Sequence, residues 1–145
     1  IDAHLKRITL IKMTHSEVIA KWLGKNYAEA SNLWFQCVAW AKKYCQERWY
    51  PIKWFGGSAY KWWLTGSPFD NTWKKVVKTS FNAPREWDII FWDEWRCKYG
   101  HVAVASKFCN PALLRYTDQN WTWHEDKIQA RFSTYKNCVG WYTKL

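Results

Sequence analysis

The spacing of apolar residues changes once along the chain. Up to about residue 64 they recur at helical intervals; from Asp88 onward they alternate or fall in blocks of strand length. Thr14-His15-Ser16-Glu17 is a capping box, with Thr14 as N-cap and Glu17 three residues on. Val18, Ile19, Trp22 and Leu23 then share one face and Gly24 is a natural stop, which predicts a helix over about His15–Leu23. A second helix carries Cys37 and runs to about Gln46, with Val38, Ala41 and Cys45 inward and Lys42, Lys43 and Glu47 toward water. Arg48 to Gly57, with Pro51 and Gly56-Gly57, reads as a loop. Ser58 caps a short helix over Ala59 to Leu64, ended by Thr65-Gly66. Residues 66–87, which include Pro68 and Pro84, read as irregular. Asp88–Trp92, His101–Phe108, Leu113–Asn120, Gln129–Tyr135 and Val139–Thr143 read as strands at hairpin-like intervals. Helices first and strands later predict an α+β domain over 1–145, its N-terminal helices packed on an antiparallel sheet.

Three places on this scaffold carry candidate chemistry. Gln36-Cys37 lies at or near the start of an apolar helix. By propensity Ser31 or Asn32 would be the N-cap, which puts Cys37 more than a turn inside. A helix N-terminus acidifies a thiol only within its first turn. His101 opens a strand after Gly100 and shares a face with Ala103 and Ala105, two small residues that leave room for a helix to dock. Asp118 and Asn120 share a face with Tyr116 on a later strand. Cys, His and Asp or Asn in that order are the parts of a cysteine-nucleophile hydrolase: a thiolate attacks, the imidazole carries the proton, and a third group fixes the ring. Taken singly, each has a plainer reading as a buried thiol, a strand-end histidine and turn chemistry.

Composition narrows the field. Of 145 residues 20% are aromatic, including 14 Trp, and 23% are charged, which excludes a disordered chain. No apolar run approaches spanning length, and Ile1 to Ile11 is broken by Asp2, His4, Lys6 and Arg7, so it does not read as a signal peptide. The formal net charge of +10 draws polyanions, either nucleic acid or an anionic wall polymer. The cations are scattered, as in Lys42-Lys43, Lys74-Lys75 and Arg96 with Lys98, and no nucleic-acid-binding motif accompanies them. The expectation is a generally steering surface and no nucleic-acid partner. Cys37, Cys45, Cys97, Cys109 and Cys138 form no CxxC pair and are expected to be reduced. His124-Glu125-Asp126 reads as a solvated turn rather than a metal cluster, and His4 and His15 have no evident partner. Most Trp, among them Trp54, Trp62, Trp63 and Trp123, are expected in the core; Trp121, beside Asn120, is a candidate groove residue.

In these segments the chain resembles the CHAP domain, the cysteine, histidine-dependent amidohydrolase/peptidase family with papain-like architecture. Gln36-Cys37 with Trp40 matches the family's helix opening, and Gly57-Ser58-Ala59-Tyr60-Lys61-Trp62 its glycine, alanine, tryptophan segment. Pro84 to Trp92 is similar to its proline-to-"GDI" strand, and Gly100-His101-Val102-Ala103-Val104 and Asp118-Gln119-Asn120-Trp121 to its last two motifs. The resemblance spans residues 32–121. It implies Cys37 as nucleophile at a helix start near Phe35–Gln36, His101 as general base, and Asp118 or Asn120 as orienting group. It implies an oxyanion role for Gln36 or the Cys37 amide. The activity implied is hydrolysis of an amide bond in bacterial peptidoglycan, as an N-acetylmuramoyl-L-alanine amidase or an endopeptidase. The setting implied is a phage endolysin, held in the host cytoplasm until its release to the cell wall, or otherwise an extracellular wall enzyme. A monomer without cofactor is expected. The chain departs from the family at Trp87, where Gly usually precedes the strand Asp, and at Asp118, where Glu is commonest. Calcium-binding members carry acidic residues before the Cys; Ala28 to Asn32 has one carboxylate, so no metal site is expected. Two rival readings are another papain-like cysteine hydrolase, deubiquitinase-like or transglutaminase-like, and a basic, aromatic glycan- or nucleic-acid-binding module without chemistry.

Overall fold

Thr14 caps the first helix as its sequence demands. Its hydroxyl accepts from the Glu17 amide while the Glu17 carboxylate accepts from the Thr14 amide, both at 3.2 Å. A computed structural model describes residues 12–25, 37–53, 58–93, 99–119 and 127–145. Its helices are α1 (His15–Trp22), α2 (Cys37–Glu47) and α3 (Ala59–Thr65). Its strands are β1 (Trp73–Val77), β2 (Ile89–Trp92), β3 (His101–Ala105), β4 (Leu114–Asp118), β5 (Gln129–Ser133) and β6 (Cys138–Lys144). The strands form one sheet in the order β1-β6-β2-β3-β4-β5, every neighbouring pair antiparallel. The architecture is therefore α+β, with helices on an antiparallel sheet, as the change of period predicts.

The two faces of the sheet have different tasks. Ile89, Phe91, Val102, Val104 and Tyr142 turn toward the helices and meet Val38, Ala41 and Cys45 of α2 and Ala59, Trp62 and Trp63 of α3. Aromatic rings fill the layer between: Phe69 stacks on Tyr142 at 4.1 Å and meets Trp73 edge-on at 5.1 Å. Such pairs contribute about 1 kcal/mol each beyond their buried area. Ile90, Trp92, Ala103, Ala105, Leu114, Tyr116 and Trp141 form a second cluster on the other face. The expectation that Ala103 and Ala105 make room for a helix is therefore corrected. The larger Val102 and Val104 carry the helix, and the alanines make room for Trp92, Tyr116 and Trp141.

Residues 66–87 are not all irregular, because β1 lies within them and pairs with β6. Trp73-Lys74-Lys75-Val76-Val77 does not alternate, and an edge strand with exposed lysines buries too little to show the strand period. Gly140 admits it. A Cβ there would collide with the Val76 carbonyl oxygen and lie 2.6 Å from Trp63 Cη2. At Trp87 the backbone sits at φ +76, a region that favours glycine, and this accounts for the glycine expected before the strand aspartate. The four described cysteines, Cys37, Cys45, Cys109 and Cys138, are free thiols. No helix among the described residues is long and apolar enough to cross a membrane.

Candidate active site

His101 is delivered by a glycine and a strand pairing. Gly100 adopts φ +71, and a Cβ there would lie 2.7 Å from the Trp92 carbonyl oxygen and 2.8 Å from Tyr60 Cβ. The start of α3 therefore backs directly onto the chain leading into β3. In β3 His101 pairs with Trp92, their rings 5.4 Å apart. β4 runs antiparallel beside β3 with Val104 opposite Thr117, and one step further brings Asp118 to the face that His101 occupies. His101 Nε2 and Asp118 Oδ2 are 2.8 Å apart, with His101 2% and Asp118 0% exposed.

A buried carboxylate needs all its oxygens satisfied. The second oxygen of Asp118 accepts from Arg131 Nε at 2.7 Å. Arg131 lies on β5, where Tyr116 faces Arg131 and Asp118 faces Gln129, so its side chain falls on the Asp118 side of the sheet. Asp118 thus bridges two cations supplied by different strands. Sequence reasoning passes over Arg131. Its one visible signal is the alternation within the strand read over Gln129–Tyr135, and only the β4–β5 register shows what it faces.

Cys37 is the first described residue of α2, partly exposed, and hydrogen-bonds the same imidazole. Burial alone pulls the His101 pKa down. The thiolate charge of Cys37, hydrogen bonds to Asp118 and Cys37, and the Asp118 charge together overcome it, and the pKa rises to about 9. The other described thiols stand in a different environment: burial pushes Cys45 and Cys109 up, and Cys138 up to about 12. The structure therefore brings Cys37, His101 and Asp118 together and adds Arg131. Gln36, Asn120 and Trp121 lie outside the described residues, as does the segment in which Ser31 or Asn32 would cap α2. Trp62 and Trp63 are core, as expected. His15, without an evident partner in the sequence, is buried with its Nδ1 2.7 Å from the Tyr44 hydroxyl. Among the described residues no group of three His, Cys, Asp or Glu is placed to hold a metal ion.

The site and fold together define a class: an α+β domain with a thiol on a helix, an imidazole on the sheet and a buried carboxylate behind it. No family model and no curated protein matches the chain. Solved structures do. A wild type endolysin, LysIME-EF1, superimposes with a TM-score of 0.74 at 18% identity, over 90% of this chain and 62% of that one. Ly7917 gives 0.60 at 15% identity, over 91% and 63%. Ly7917 with the hydrolyzing product of MDP gives 0.61 at 17%, over 91% and 63%. The likeness is one of fold, and this chain spans less than two thirds of the length of each of these proteins.

Proposed function

We propose that the protein is a peptidoglycan hydrolase that cleaves an amide bond of the bacterial cell wall through a thioester at Cys37. The observation that carries this reading is the buried His101, bonded to Asp118 at 2.8 Å and hydrogen-bonded to Cys37 as well. The endolysin fold of its structural neighbours, one of them with the hydrolyzing product of MDP, supports the substrate class. In this mechanism His101 takes the proton of the Cys37 thiol. The Cys37 sulfur attacks the scissile carbonyl, and His101 gives its proton to the leaving amine. A water, deprotonated by His101, then attacks the thioester and frees Cys37 as the acid product departs. Asp118 keeps the imidazolium oriented and charged through both steps. Gln36 or the Cys37 amide is the proposed oxyanion donor, and Trp121 a proposed groove residue. The bond cut is that of an amidase between sugar and peptide or of an endopeptidase within the peptide. As an endolysin the protein would wait in the host cytoplasm and act on the wall as a monomer.

Purified cell walls test this. The protein should clear a wall suspension and release new free amines. Cys37→Ala should abolish both while leaving the thermal midpoint nearly unchanged, because the thiol is at the edge of the core. Iodoacetamide at neutral pH should label Cys37 before Cys45, Cys109 or Cys138. Wall lysis surviving in Cys37→Ala would overturn the nucleophile. Wall binding by the parent protein with no amine release would leave a binding module instead.

A further inference from the structure

We propose that a second site, at the opposite end of α2 from Cys37, binds an oxyanion, the shared chemistry of phosphate and carboxylate groups. A pocket of about 340 Å³ opens there between the start of α1, the end of α2 and the turn before β2. Lys12, His15, Arg48, Glu86 and Trp87 line it. Eleven residues of helix separate Arg48 from Cys37, about 16 Å at the usual rise, so this is not the cleft of the catalytic thiol.

The charge of the pocket is unbalanced. Arg48 and Lys12 have no carboxylate within ion-pair distance among the described residues, and Glu86, the acid in the lining, is 3.8 Å from Lys107. Arg48 is held by aromatic groups instead. Its guanidinium lies 4.9 Å from the Tyr50 ring centre and 5.4 Å from that of Trp87, and Nη2 donates to the Tyr50 hydroxyl at 2.6 Å. Its Nε is buried without a hydrogen-bond partner. A half-buried guanidinium fixed among rings and lacking a counter-ion is a site waiting for an anion.

The neutral groups complete it. The Tyr44 hydroxyl accepts weakly from Arg48 Nη1 at 3.5 Å, which leaves its own proton for His15 Nδ1 at 2.7 Å. His15 then carries its hydrogen on Nε2, as a donor. Burial, with Arg48 and Lys107 nearby, holds its pKa down to about 4, so it is neutral at pH 7 and its ring reports any anion that enters. Trp87 keeps its left-handed backbone, unfavourable for a residue with a Cβ, at the place where its indole walls the pocket.

The proposed wall hydrolysis supplies a natural source of such ligands, either phosphodiesters of an anionic wall polymer or peptidoglycan carboxylates; the identification of that source rests on that reading, the anion site does not. Inorganic phosphate is titrated into the 145-residue protein at pH 7 while the His15 Cε1–H resonance is followed by NMR, assigned through His15→Gln. A saturable shift is expected, weakened roughly fivefold in Lys12→Gln, whose side chain is exposed and otherwise meets the Tyr50 ring, at 5.8 Å. Arg48→Lys, which keeps the charge and loses the fork, should weaken it further, with the thermal midpoint of each variant checked. A response that is absent, linear in phosphate, or unchanged in Lys12→Gln overturns the site. Wall binding by Cys37→Ala then separates the sources. Loss of binding on walls stripped of phosphodiester polymers by hydrofluoric acid assigns the polymer, and binding kept on stripped walls but lost in Lys12→Gln assigns the carboxylates. A protein that shifts with phosphate yet releases no amines from walls keeps this site and loses only the hydrolase reading.

Discussion

Asp118 is fully buried and divides its two oxygens between His101 and Arg131. That division makes opposite predictions for two substitutions. Burial is outweighed by Cys37 and Asp118, which raise the His101 pKa to about 9, so activity that uses its proton for the leaving amine should fall as pH rises through that value. In Asp118→Asn the carboxylate charge is gone, the imidazolium is less stable, and the alkaline limb of kcat/KM should move down in pH. Turnover should drop by up to about four orders of magnitude, as for orienting carboxylates elsewhere. In Arg131→Gln the competing cation is gone, Asp118 acts on His101 alone, and the same limb should move up, with a loss of stability of about 2–3 kcal/mol because a buried charge loses one partner. Movement of both limbs in one direction would refute the sharing. Asn120→Ala should cost less than Asp118→Asn; the reverse order would make Asn120 the orienting residue. Cys37, His101 and Asp118 were legible in the sequence because each stands in local context: a glutamine and helix, a glycine and strand, a strand end. Arg131 was not, because its role depends on a pairing across the sheet that no local pattern encodes.

Among the elements, those with a strong local signal were read nearly to their ends. The Thr14–Glu17 box starts α1, and Ser58 and the left-handed Gly66 bound α3. The strand β1 escaped because its burial does not alternate and because its partner β6 lies more than sixty residues on. The face of β3 that receives α2 was misread for a related reason: the sequence shows which residues are small, but not whether a helix or another strand's aromatics will use the space. Gly140 is the joint of this edge. An alanine there would drive its Cβ into the Val76 carbonyl oxygen, a backbone atom that cannot swing away. Gly140→Ala should therefore cost about 2 kcal/mol or more and lower the thermal midpoint by about 6 °C. An unchanged midpoint would mean that β1 is dispensable to the fold.

For the molecule as a whole, stability should respond to pH through two buried groups of opposite sign. Burial, with Arg48 and Lys107, holds His15 down to about 4 from its ordinary 6.5. Its contribution is complete above pH 6.5 and is lost as pH falls toward 4. Burial pushes Asp88 up to about 6 from 3.8, against hydrogen bonds from Thr143 and the Arg85 amide. Its contribution is complete below pH 3.8 and is lost as pH rises through 6. Thermal melts between pH 4 and 7 should show the parent losing its advantage over His15→Gln as pH falls, and gaining on Asp88→Asn over the same range. Parallel curves for all three proteins would show that neither group is linked to unfolding. The strand order carries a consequence in time rather than in energy. β6 follows every other described strand along the chain, yet it lies between β1 and β2. A ribosome that has made residues 1–136 has already made Cys37, His101, Asp118 and Arg131, but the sheet that holds them is still missing an interior strand. A chain stopped before residue 138 should therefore be inert on cell walls until a synthetic peptide of residues 137–145 is supplied.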